Sequence, residues 1–108
     1  MQYALLIYDA ELDNPPEDEG IYGEYMAISG SPGIVGGNQF EPAGAATTVR
    51  VPNGETQNTD GPFVETGEPL GGYFVFEADD IDAAVEIAAR IPAARRGGAV
   101  EVRPVVGR

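Results

Sequence analysis

The sequence predicts an α+β sandwich of the split βαβ kind. Short, β-prone apolar runs alternate with two segments of helical spacing, and a hairpin signal falls between the two strand–helix–strand groups. The chain of 108 residues is enough for one core, so residues 1–108 are read as a single domain.

Tyr3-Ala4-Leu5-Leu6-Ile7-Tyr8 is short and apolar throughout, which predicts a central strand buried on both faces. Asp13-Asn14-Pro15-Pro16 breaks it off into a loop. Glu17 to Ser29 follows as a helix. Acids crowd its start, where they complement the helix dipole, and Tyr22, Tyr25, Met26 and Ile28 supply an apolar side. Gly30-Ser31-Pro32-Gly33 ends it. Ile34 to Phe40 reads as a second strand and Ala46 to Val51 as a third, with Pro52-Asn53-Gly54-Glu55 as the hairpin turn and Thr56 to Thr59 returning as an edge strand. Leu70 to Ala78 is the strongest strand. Its alternation places Leu70, Gly72, Phe74 and Phe76 on one face and Tyr73, Val75 and Glu77 on the other. Asp79-Asp80-Ile81-Asp82 opens the second helix with a capping acid, and Ile81, Ala84, Val85, Ala88 and Ile91 form its expected buried stripe. Pro92 stops it. Gly97-Gly98 then turns the chain into a last strand, Val100-Glu101-Val102-Arg103, which ends at Pro104.

Composition removes several chemistries. Cysteine, histidine and lysine are absent, which excludes thiol, Ser-His-Asp and Schiff-base mechanisms. Carboxylate, tyrosine and arginine remain for acid–base work, and no cofactor is expected. The formal net charge of -12 disfavours nucleic acid and anionic membrane surfaces as partners. No apolar run reaches membrane-spanning length and no export signal is evident, so the expected location is the cytoplasm. Acids are concentrated before residue 30 and arginines after residue 89, a distribution that favours attraction between the two ends of the chain within or between subunits.

The most informative stretch is Thr59-Asp60-Gly61-Pro62-Phe63-Val64-Glu65-Thr66, a rigid turn carrying an acid, followed by the glycine-opened strand at Leu70-Gly71-Gly72-Tyr73. Together with Tyr3 to Tyr8, Ala46-Thr47-Thr48-Val49-Arg50, Glu77-Ala78-Asp79-Asp80, Ile91-Pro92-Ala93-Ala94 and Val100 to Val105, these motifs resemble the YCII-related family, specifically its DGPF branch. The match runs in order along nearly the whole chain. The resemblance implies a ferredoxin-like fold, a homodimer of the dimeric α/β-barrel type with sheets packed face to face, and a cleft between sheet and helices or near the subunit boundary. Many members of the wider family carry a His-Asp pair in that cleft, and a few are linked to lactone or chlorinated-ring degradation. Genes of the DGPF branch often neighbour those of extracytoplasmic-function sigma factors. This chain departs from the pattern, because it has no histidine and reads Arg95-Arg96 where relatives often have a histidine in second place.

Asp60 is the candidate catalytic residue, a carboxylate held on a Gly-Pro turn; the alternative is that it only accepts backbone hydrogen bonds in that turn. Arg50 is a candidate anion clamp, or else an ion-pair partner of Asp60, Glu65 or Glu77. Tyr8 and Tyr73 are candidate ligand contacts, or else aromatic core with one wet end. Gly71 and Gly72 either admit a ligand or mark close packing, the latter preferred. Glu101 and Arg103 are expected as a solvated or cross-strand pair. Two functions follow. One is a protein that binds a small polar or cyclic metabolite near Asp60, with carboxylate acid–base chemistry. The other is a non-catalytic homodimer serving regulation or interaction through its acidic first helix.

Overall fold

The computed structural model describes residues 1–9, 19–64 and 67–107. The predicted loop at Asp13 to Pro16, the acidic start of the first helix at Glu17 and Asp18, and Glu65 and Thr66 lie outside those residues. The elements run β1 (Gln2–Tyr8), α1 (Glu19–Ser29), β2 (Ile34–Gln39), β3 (Thr47–Arg50), β4 (Gln57–Asp60), β5 (Leu70–Glu77), α2 (Ile81–Ala88) and β6 (Ala99–Pro104). The predicted order of strand, helix, strand, hairpin, strand, helix, strand is therefore present, in a mixed α+β fold. No helix among the described residues is long and apolar enough to cross a membrane.

The main sheet has four strands in the order β2-β5-β1-β6, with every neighbouring pair antiparallel. β3 and β4 form a separate two-stranded ribbon. Asn53 and Gly54 turn that ribbon with φ of 53° and 83°, the left-handed geometry that makes Asn-Gly a hairpin signal.

β1 is central, but it is not equally buried on both faces. Tyr3, Leu5 and Ile7 are fully buried against the helices, whereas Ala4, Leu6 and Tyr8 are half-buried on the other side, hereafter the open face. The apolar run concealed this alternation, because apolar residues occupy both faces. The core joins Tyr3, Leu5, Ile7, Phe74 and Phe76 of the sheet to Ile28 of α1 and to Ala84, Ile87, Ala88 and Ile91 at and beyond α2.

Each helix presents a somewhat different stripe from the one its sequence indicates. In α1, Tyr25 and Ile28 face the sheet, while Tyr22 and Met26 are exposed. In α2 the buried set is Ala84, Ile87, Ala88 and then Ile91; Ile81 and Val85 are 47% and 52% exposed. Both sets fit helical spacing, and the choice between them depends on how each helix is rolled on the sheet. Asp80 caps α2 by accepting from the Ala83 amide at 3.0 Å.

β5 carries a bulge at its mouth. Ile7 pairs with Gly72 and Tyr8 with Leu70, so Gly71 is the extra residue. The strict alternation predicted from Leu70 onward therefore fails at its first step, and Leu70 pairs with Tyr8 of the open face.

Candidate functional site

A cleft of about 560 Å³ opens where the β3–β4 ribbon and its flanking segments meet the ends of β1 and β5. One wall is Phe40 to Ala46, leading into β3; the other is Pro62, Val64 and Glu68 to Leu70, leading from β4 into β5; Tyr8 closes it from β1. Local sequence explains both walls. Glu41-Pro42 cannot continue the β2 ladder, because proline lacks an amide proton, and a short 3₁₀ turn at Ala43–Ala45 follows. On the opposite side, the Gly61 amide donates to the Ala46 carbonyl at 2.7 Å and the Thr48 hydroxyl donates to the Gly61 carbonyl at 2.8 Å. Those bonds fasten the Asp60-Gly61-Pro62 turn to the start of β3. Gly61 takes φ 101°, which a side chain would strain.

The sequence candidates are distributed around this cleft rather than gathered in it. Tyr8 lines it directly. Tyr73 sits one layer behind, its ring 5.8 Å from that of Phe40, and the Asn38 side-chain amide donates to its hydroxyl at 3.5 Å. Asp60 is exposed at the end of β4, two residues before the lining residue Pro62 and paired with Thr47, the neighbour of the lining residue Ala46. Arg50 is at the other end of the ribbon. It pairs with Gln57, three register steps from the Thr47–Asp60 pair, or about 10 Å along the strand. Three steps also reverse the face, so Arg50 and Asp60 project from opposite sides of the ribbon. The Arg50 guanidinium instead lies over the Phe63 ring, 5.7 Å from its centroid. Gly71 and Gly72 are buried, and the Gly71 carbonyl accepts from the Phe40 amide at 2.9 Å. A Cβ on Gly72 would fall 2.8 Å from the Asn38 carbonyl oxygen, so the close approach there is that of β2. Glu101 and Arg103 form an exposed ion pair along one strand, two residues apart, rather than across strands.

Composition and motif reading overlooked Asp9. This carboxylate is only 2% exposed and lies directly behind the cleft floor, between Tyr8 and Pro69. Its amide donates to the Pro69 carbonyl at 3.1 Å, the Tyr25 hydroxyl donates to its Oδ2 at 3.3 Å, and Arg96 Nη1 lies 3.8 Å from that oxygen. Burial, and then the charge of Asp9, push the Tyr25 phenol well above its ordinary value, so Tyr25 stays a neutral donor. The signal was present in the sequence: Asp9 continues the period-two series Tyr3, Leu5, Ile7 on the buried face. A second link, from Arg95 to both carboxylate oxygens of Glu24, also joins the acidic first part of the chain to its basic last part. These ion pairs show attraction between the two regions acting within one chain.

Comparison with known proteins agrees with the motifs. The family model for the YCII-related domain matches residues 1–107. An uncharacterised protein of Rhizobium meliloti (strain 1021) is 34% identical over an alignment covering 97% of this chain and 92% of that protein. The chain therefore belongs to the YCII-related family.

Proposed function

We propose that this protein binds a small polar or cyclic molecule in the cleft between the 40–46 segment and the wall made by Pro62, Val64 and Glu68 to Leu70. The observation that carries the reading is the cleft itself: about 560 Å³ of concave, mainly apolar space with Tyr8, Glu41 and Glu68 as its polar contributors. Small-molecule sites have this character, an apolar enclosure with few polar groups that fix orientation. Asp60, on the motif through which the chain resembles the DGPF branch, stands at the margin and supplies the carboxylate for any acid–base step. Arg50 is the outlying member of the proposed set, since its register on the ribbon carries it away from Asp60.

A thermal-shift screen against small lactones, phenols, amines, carboxylates and nucleotides tests this. A ligand of the folded state at a hundredfold excess over its dissociation constant adds about 2.7 kcal/mol of stability. The shift is expected to vanish in Ala46→Trp, which fills the cleft from an exposed position. A hit that persists in Ala46→Trp places binding elsewhere and rejects the cleft.

A second reading concerns assembly, and the open face favours it. Ala4, Leu6, Tyr8, Tyr73 and Val75 form a half-buried apolar surface opposite the helices. A four-stranded sheet with helices on one side leaves such a face for another partner to cover. We propose a cytoplasmic homodimer joined through these faces, as in the dimeric α/β-barrel arrangement, with the strand order β2-β5-β1-β6 in support of its ferredoxin-like character. A non-catalytic regulatory role, within extracytoplasmic-function sigma factor systems, is the functional alternative that such a dimer serves.

A further inference from the structure

We infer that the β3–β4 ribbon is a clasp between subunits: its uncovered flank lies on the open sheet face of a second copy of this chain, each copy's ribbon on the other. The inference rests on the reading of the chain as a homodimer joined through its open faces, and it adds a second surface to that contact. Among the described residues, the ribbon strands pair only with each other, and no residue from Ala43 to Val64 belongs to the core. A lone two-stranded hairpin is marginally stable in water, so the ribbon needs a surface to rest on. One flank is covered within the subunit. There the Thr48 hydroxyl donates to the Gly61 carbonyl and Arg50 lies over Phe63. The other flank carries Thr47 and Val49, with Asn58 opposite Val49, and Val51 follows just past the strand. Val49 and Val51 are 58% and 57% exposed. Asp60, opposite Thr47, is the one charge among these residues and stands at the base of the flank.

Size points to a second copy as the occupant. A folded monomer of 11.3 kDa exposes about 5700 Å², whereas this chain exposes 7236 Å². The excess of about 1500 Å² per chain matches the roughly 1000–2500 Å² that each partner of a permanent homodimer buries. The shape agrees. The radius of gyration is 15.4 Å, against about 13 Å for a compact chain of this length, and the extents are 44 × 41 × 20 Å. Charge selects the surfaces. At a net charge of -12 each, two copies repel over most of their surface. Val49 and Val51 of the ribbon, and Leu6, Tyr73 and Val75 of the open face, are uncharged and meet without that opposition. Flank against flank is too small a contact, because a four-residue strand spans only about 13 Å. Flank on open face, repeated by a two-fold axis, covers both surfaces of both copies. The contact also bears on the cleft. Ala46 and Pro62, from its two walls, stand at the base of the ribbon, and the bond from the Gly61 amide to the Ala46 carbonyl joins them. A docked ribbon therefore holds both walls.

The test uses the full chain and two measurements. The chain has no cysteine, so Glu55→Cys takes a single nitroxide label at the ribbon turn, beside the flank and not in it. The labelled variant and isotope-labelled wild type are mixed in denaturant and refolded together. Broadening of the wild-type amide signals is expected at Leu6, Tyr73 and Val75 and is expected to spare Ile81 to Ala88 of α2. Analytical ultracentrifugation supplies the second readout. Val49→Asp is expected to raise the dimer dissociation constant at least about tenfold, because the contact then buries a charge. Its circular dichroism spectrum is expected to stay that of the wild type, since Val49 is exposed in the single chain. Val85→Asp places the same charge at a valine 52% exposed on α2 and is expected to change the constant less than about twofold. A wild-type dimer whose broadening misses the open face, or centres on α2, overturns the clasp and leaves the dimer standing. A dimer that Val49→Asp leaves intact, or that Val85→Asp weakens equally, overturns the clasp as well. A wild-type monomer at micromolar concentration overturns the dimer reading, and the clasp fails with it.

Discussion

Single residues fix the end of β1, and with it the floor of the cleft. Gly98 is the tightest case: a Cβ there would fall 2.1 Å from the Tyr8 carbonyl oxygen, which is backbone and cannot move aside. Gly98→Ala is expected to destabilise the protein by about 2–3 kcal/mol, lowering Tm by about 10 °C at this chain length. Thermal unfolding monitored by circular dichroism measures that. Asp9 holds the other side of the same strand end. Asp9→Ala leaves Tyr25 without its acceptor and Arg96 without this carboxylate, for a loss on the order of 2–3 kcal/mol; Asp9→Asn keeps an acceptor for Tyr25 and is expected to lose less. The pH dependence follows from Tyr25. Its folded value is raised, so its contribution to stability is complete below the unfolded value of about 10 and is lost as pH climbs above it. Denaturant melts of the wild type and Tyr25→Phe between pH 9 and 11 are expected to converge, with the phenylalanine variant losing stability less steeply; parallel curves would contradict the assignment. The sequence disclosed these residues unevenly. Asp60 and the tyrosines were visible as chemical types in turns and strands. Asp9 was visible only through its place in an alternation, and the separation of Arg50 from Asp60 only through strand register, which spacing along the chain does not reveal.

At the scale of elements, the sequence was most informative where several signals coincided. The Asp80 cap, the Asn53-Gly54 hairpin and the strand β5 each combine propensity with punctuation, and each lies where the residues indicated. Asp80→Ala is expected to cost about 1 kcal/mol through the lost bond to the Ala83 amide, measurable as a fall in the urea midpoint. The stripes of α1 and α2 were less legible. With apolar residues at 81, 84, 85, 87, 88 and 91, two overlapping stripes satisfy helical spacing, and packing on β1 and β6 decides between them. The bulge at Gly71 was also invisible. Two consecutive glycines fit an uninterrupted strand as well as a bulged one, and only pairing with Ile7 and Tyr8 distinguishes them. That bulge matters to the site because it brings Leu70 opposite Tyr8, and both line the cleft.

At the scale of the whole molecule, the sheet has one face packed by helices and one half-buried apolar face. Leu6 is central to the latter, between Tyr73 of β5 and Glu101 of β6. If two copies join there, light scattering at micromolar concentration gives twice the 11.3 kDa of one chain, and Leu6→Asp returns a folded monomer. A wild-type monomer would contradict the dimer. The sequence showed that one face needed a cover, because a single sheet with one helical layer has two sides. It did not show where a cleft would form, because the cleft depends on the β3–β4 ribbon standing apart from the main sheet while its flanking segments return to the ends of β1 and β5.

The central claim is that the space bounded by Phe40 to Ala46, by Pro62, Val64 and Glu68 to Leu70, and by Tyr8 receives a small molecule. The most direct test is amide chemical-shift mapping of the isotope-labelled chain during titration with phenol, a small cyclic polar molecule. The account predicts saturable shifts concentrated at Phe40, Ala45, Ala46 and Leu70 and absent from the exposed side of α2. Saturable shifts centred on α2 or β6, or no saturable shift up to millimolar ligand, would contradict it.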